Sequence, residues 1–123
     1  MESIWLWAAG LVTSVGVFVH VVLGGKMFVR PFLANDIPNE HKWMAYLVWH
    51  VASVAFVFMT VGFIAAATLP GRADYAVIAT AFAGFLVVTA LMVCWKSGLS
   101  PRNFPAIPLF SVVTTLGLIG LLT

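Results

Sequence analysis

Residues 16–31 read GVFVHVVLGGKMFVRP, and the reading of this stretch decides the fold. It is the inner half of an apolar helix that carries one histidine, His20, between glycines. Gly16, His20 and Gly24 fall four residues apart and therefore share one helical face. Glycines on that face let a neighbouring helix approach closely, so the imidazole is offered to that neighbour and not to lipid. Lys26, Arg30 and Pro31 mark where the apolar run ends. A second histidine, His50, stands at a matching depth in the next run, in Leu47-Val48-Trp49-His50.

Outward from this stretch the same pattern repeats. Apolar runs cover about residues 4–29, 43–69, 75–95 and 104–122. A helix needs ~20 such residues to cross the hydrocarbon of a bilayer, so the last two runs match that length and the first two exceed it, the first being long enough to tilt. The connections are polar: Arg30 to Lys42, the stop at Pro70-Gly71 with the short turn Arg72-Ala73-Asp74, and Lys96 to Asn103. Pro105 and Pro108 open the last run, where a missing N–H is tolerated; Pro108, the deeper of the two, is expected to bend the entry. The short second connection makes the second and third helices antiparallel neighbours. Of 123 residues, 63% are hydrophobic and 8% charged, and the mean hydropathy is +1.09. A soluble domain of this size cannot hide so much apolar surface. The expected fold is all-α: one transmembrane domain over residues 1–123, built as a four-helix bundle.

Charge gives the orientation. Lys26, Arg30, Lys42, Lys96 and Arg102 fall on the side of the first and third connections, and Arg72 falls on the other. By the positive-inside bias both termini are outside, an N-out/C-out topology. Trp5, Trp7 and Tyr75 would form one aromatic belt, and Trp43, Tyr46, Trp49 and Trp95 the other. The N-terminus, MESIWLW, has an acid and no basic n-region, so the first helix is expected to be retained and not cleaved as a signal peptide. The net charge of +2 is carried by few, scattered residues, which excludes the dense basic face of a nucleic-acid binder.

Packing inside the bundle should run through small residues: Ala79, Thr80, Ala83 and Gly84 on the third helix, and Ser111, Thr115, Gly117 and Gly120 on the fourth. The lone cysteine, Cys94, excludes an intrachain disulfide and a paired-cysteine motif. No catalytic or metal-ligating residues are expected. There is no His-x₃-His and no Asp or Glu inside a span, and no serine or cysteine stands beside a base. His41, between Glu40 and Lys42 in the first connection, reads as a solvated loop residue.

Ionisable groups within a bilayer are costly, which makes His20 and His50 the candidate site. Tyr46, His50 and Ser53 share a face of the second helix, so a polar seam of Tyr46, His50, Ser53 and His20 is expected. Four readings of that seam stand open. The histidines tie the hairpin by bonding each other, Ser53 or a carbonyl. They ligate a b-type haem, for which the hairpin would have to splay beyond the usual ~8–10 Å between packed helices. They donate to a quinone or a lipid headgroup, with Trp49 and Tyr46 walling the pocket. Or they line a proton or small-solute path, although no membrane carboxylate stands as partner.

At His20, Gly24, Pro31, Trp49, His50 and Pro105 the chain resembles a group of uncharacterised small bacterial inner-membrane proteins. That resemblance implies four helices and no assigned activity. Paired cysteines of the mercury-transporter kind and the intramembrane glutamate of small multidrug exporters are both missing. The expected protein is therefore a non-enzymatic, multi-pass inner-membrane protein. Its expected partners are lipid, other membrane subunits or further copies of itself. The alternative is a redox component holding haem or quinone at His20 and His50.

Overall fold

The computed structural model describes residues 3–123; Met1 and Glu2, whose acid and lack of basic charge entered the expectation that the first helix is retained, lie outside them. Four helices follow one another: α1 (Ser3–Ala34), α2 (Asn39–Thr68), α3 (Ala73–Ser97) and α4 (Ala106–Leu122). A single 3-10 turn, Pro101–Asn103, precedes α4. The helices run up-down-up-down in a closed ring, with α1 against α2 and α4, and α3 against the same two. Lys26, Arg30, Lys42, Lys96 and Arg102 gather at one end of the bundle, and Arg72 lies at the other.

Three helices extend further than expected, α3 by two residues at each end. The apolar run of α1 ends near Val29, yet the helix continues to Ala34 across Arg30 and Pro31. The reason lies in its inner half, where Val19–Val29 is π-helical. The Arg30 N–H bonds back five residues, to the Gly25 carbonyl. Pro31 then occupies the first turn of a new α-helical segment, Arg30–Ala34, where an absent N–H is harmless. At α2, Pro38 ends the extended connection and helix begins at Asn39, so His41 is an exposed residue of the first turn and not of a loop. The fourth helix is shorter than expected. Phe104 at its entry is extended and Pro105 is the N-cap, so 17 residues remain. Pro108 falls in its first turn and leaves the helix intact. Three helices are thus long and apolar enough to cross a membrane, and α4 falls just below that length.

The bundle is small inside and large outside. Its core is Leu6, Ala9, Phe56, Met59, Phe63, Ala66, Ala76, Ala79, Ala83, Phe110 and Val113. Thr13, Thr80, Gly10, Gly16, Gly117 and Gly120 are buried among them. Phe56 and Phe110 stack with ring centroids 5.0 Å apart, joining α2 to α4. Meanwhile Phe58 is 72% exposed, Phe85 71% and Leu11 66%. The fully buried Ala9, Ala76 and Ala83 set α1 and α3 close to their neighbours, as glycine and alanine do where helices pack without a water-driven force. Of the small residues expected at these contacts, Ala79, Thr80, Ala83, Gly117 and Gly120 are buried. Thr115 is exposed, because the buried stripe of α4 follows Phe110, Val113, Gly117 and Gly120 and leaves Thr115 on the next face.

The far hairpin is closed by charge. Arg72 donates from Nε and a terminal nitrogen to the two oxygens of Asp74, each at 3.0 Å. Its guanidinium also sits 4.0 Å from the centroid of the Tyr75 ring. At the basic end, α3 stops at Gly98, whose φ of +71° is the left-handed C-terminal conformation that glycine adopts without strain.

Candidate functional site at the α1–α2 mouth

His20 is the second residue of the π-helical segment, and its partner is Trp49. The two rings stack with centroids 4.0 Å apart and planes 12° from parallel. Nε2 of His20 lies 3.1 Å from the Trp49 carbonyl oxygen. A carbonyl only accepts, so Nε2 is the donor in this contact. Ser53 donates its hydroxyl to the same oxygen at 3.2 Å. Trp49 O therefore receives two side-chain donors in addition to the ladder bond of its own helix. Phe56 stands on another side of the imidazole, at 5.2 Å between centroids.

Gly24 completes the clamp. A Cβ at that position would lie 2.8 Å from Cη2 and Cζ2 of Trp49, closer than carbon atoms pack. Glycine is what lets the indole lie against the α1 backbone. Two turns earlier, Gly16 faces Leu109 and Phe56, with a Cβ there 3.2 Å and 3.4 Å away. The π-helical segment explains how Gly16, His20 and Gly24 all stay on the seam. Four residues overshoot an α-turn of ~3.6 residues and undershoot the wider i→i+5 turn. The drift accumulated before His20 is reversed after it.

The expected seam of Tyr46, His50, Ser53 and His20 is divided in two. Among the described residues, His20 and His50 share neither a hydrogen bond nor a ring contact. His50 instead meets Tyr46 edge-on, with centroids 4.6 Å apart and planes at 81°. Trp43 meets Tyr46 in the same way at 5.6 Å. These three rings form a chain along the flank of α2, while Ser53 and His20 converge on the Trp49 backbone. Of the partners expected for His20 (the other histidine, Ser53 or a carbonyl), the one it takes is a main-chain carbonyl, that of Trp49, which the sequence did not single out. A signal was available in the spacing: Trp49, Phe56 and Phe63 recur every seven residues, which puts Trp49 on the core-facing stripe. His50 lies about a quarter-turn away from it.

Beside the clamp, an apolar groove of about 320 Å³ runs between the basic end of α1 and the first turns of α2. Phe28, Val29, Phe32 and Leu33 form one wall, and Ala45, Tyr46 and Trp49 the other. Tyr46 and Trp49 are the two residues expected to wall a pocket; His20, His50 and Ser53 are not part of its lining. A haem joining His20 to His50 does not fit this geometry. Nε2 of His20 is already bonded to Trp49 O, so ligation of iron there would have to break that bond. No group of three or more His, Cys, Asp or Glu side chains gathers as a metal site among the described residues.

The likeness at His20, Gly24, Pro31, Trp49, His50 and Pro105 rests on those positions alone. No protein-family model, no curated protein and no solved structure matches this chain.

Proposed function

We propose that this chain is a small, non-enzymatic, multi-pass protein of a bacterial-type inner membrane. It works as a bundle that binds lipid or partner helices, with both termini outside. The observation that carries this reading is the inverted distribution of side-chain size. Alanine, glycine and threonine fill much of the interior, and Phe58, Phe85, Ile78 and Leu11 face outward. In water that surface would far exceed the apolar patches that soluble monomers expose. In lipid it is an ordinary boundary, and the small interior is what permits close packing. The five cations at one end and single cation at the other supply the orientation. The clamp at Trp49 supports a structural role for His20, holding α1 to α2.

Membrane fractionation with alkaline extraction tests the first part: the protein should remain in the pellet, and release into the supernatant would overturn the reading. In a Cys94→Ala background, cysteines at Ser3 or Thr123 should react with an impermeant thiol reagent on intact cells. Cysteines at Asn35 or Ser100 should not. The reverse pattern would overturn the orientation.

A further inference from the structure

The groove beside Trp49 has a chemistry that its lining alone does not express. Lys42 lies three, four and seven residues before Ala45, Tyr46 and Trp49, so it stands on the face of α2 that forms the wall. On α1, Arg30 lies three residues before Leu33 and next to Val29, on the rim of the opposite wall. Lys26 is four residues before Arg30, one turn deeper. Asp36 in the connection and Glu40 in the first turn of α2 lie nearby, yet none of these cations is paired with them. Among the described residues the one ion pair is Arg72 with Asp74, at the other end of the bundle. The mouth therefore carries three unpaired cations against two carboxylates above an apolar trough. From Lys42 to Trp49 the trough descends about 10 Å along the helix, at ~1.5 Å per residue. Its volume, about 320 Å³, sits at the lower end of the ~300–1,000 Å³ typical of small-molecule sites.

We infer that this groove is a binding site for an anionic phospholipid, which lays an acyl chain against Phe28, Phe32 and Trp49 and its phosphate between Lys42 and Arg30. The inference rests on the membrane reading above and deepens it by naming the lipid class and the place. A neutral quinone would fill the trough but leave the cations without a partner, and a zwitterionic lipid would offer them a phosphate already offset by its own ammonium, whereas an anionic headgroup brings net negative charge. Basic pockets between helices on the cytoplasmic side are the general means of retaining anionic headgroups.

The test uses the full chain in bilayer nanodiscs, with Trp5, Trp7, Trp43 and Trp95 replaced by phenylalanine so that Trp49 alone fluoresces. Phosphatidylglycerol or phosphatidylcholine with brominated acyl chains is added at equal mole fraction. Phosphatidylglycerol should quench Trp49 more strongly, and its relative association constant should fall about fivefold for Lys42→Ala and again for Arg30→Ala. Ala45→Phe, which fills the trough from an exposed position, should abolish the difference. Equal quenching by both lipids overturns the inference, as does a preference that survives loss of both cations. Because four tryptophan replacements could weaken the fold, the melting temperature of the protein with its native tryptophans provides the second readout. Added phosphatidylglycerol should raise it, while phosphatidylcholine and inorganic phosphate should not. Stabilisation by inorganic phosphate would assign the cations to a free anion and overturn the lipid. A folded, membrane-embedded protein without any lipid preference would sink this inference and leave the membrane reading standing.

Discussion

The two hairpins of this bundle achieve the same closeness by different chemistry. Between α1 and α2, Gly24 makes room for Trp49, and the space is filled by an aromatic ring whose own backbone carbonyl is bonded by His20 and Ser53. Between α3 and α4, Gly117 makes room for Thr80, whose hydroxyl is buried without a hydrogen-bond partner. Thr13, Ser14, Thr60 and Thr114 all donate back to a carbonyl one turn earlier. Thr80 does not, and its Oγ1 points at Gly117 instead. The α1–α2 seam thus fixes the rotation of one helix against the other, because a stacked ring and a hydrogen bond have direction. The α3–α4 seam fixes only a distance. A weak contact from the Gly117 Cα–H to that oxygen is consistent with the arrangement, but such contacts are second-order.

The comparison can be broken most sharply at Gly117. Its added Cβ would fall inside contact with Thr80 and 3.1 Å from Phe63, in the packed centre with no room to yield. Gly117→Leu should destabilise by about 3 kcal/mol or prevent folding, since overpacking costs ~1–3 kcal/mol and occasionally more; thermal unfolding in detergent measures it. Gly24→Leu should cost less, about 2 kcal/mol, because the adjoining groove gives Trp49 somewhere to swing. Leu23→Ala, at an exposed position, should be milder still, and equal effects at residues 23 and 24 would show that the glycine does not face Trp49.

Next in size is His20→Ala, at about 1 kcal/mol for the loss of an interhelical hydrogen bond. A double-mutant cycle sharpens the point. His20→Ala should couple more strongly to Trp49→Ala than to His50→Ala, and coupling mainly to His50 would restore the pairing of the two imidazoles. The smallest change is expected at Thr80. Replacing it with valine removes an unsatisfied hydroxyl while keeping the shape, so Thr80→Val should be neutral or stabilising by up to about 1 kcal/mol. A clear loss of stability would mean that the hydroxyl has a partner after all.

These residues also show what a one-dimensional reading can reach. Depth along a helix follows from counting, so His20 and the second histidine were placed at the same level, and Gly16, His20 and Gly24 on one face. The α1–α2 contact was legible on that basis. Azimuth was not, because a one-residue step turns a side chain through about 100°, which separates His50 from Trp49. The choice between them is made by packing, with Trp49 above Phe56 on the core stripe. The π-helical segment was hidden for the same reason: VHVVLGGKMFV has no local signal for i→i+5 bonding, and the wider turn keeps His20 and Gly24 on the seam. Pro31 read as a terminator because proline usually stops an α-helix, whereas here it opens a new segment. The short fourth helix reflects Phe104 and Pro105, apolar residues that extend hydropathy without extending helix.

The Trp49 carbonyl has a consequence for spectroscopy. Each hydrogen bond to a peptide oxygen draws electron density from the C=O bond and lowers its stretching frequency. An oxygen that serves an imidazole, a hydroxyl and its own helix ladder should therefore vibrate below every ordinary helical carbonyl of the bundle. With ¹³C placed at the Trp49 carbonyl alone, that band becomes a gauge of whether α1 is seated on α2, readable in intact bilayers without a dye or a label on the surface.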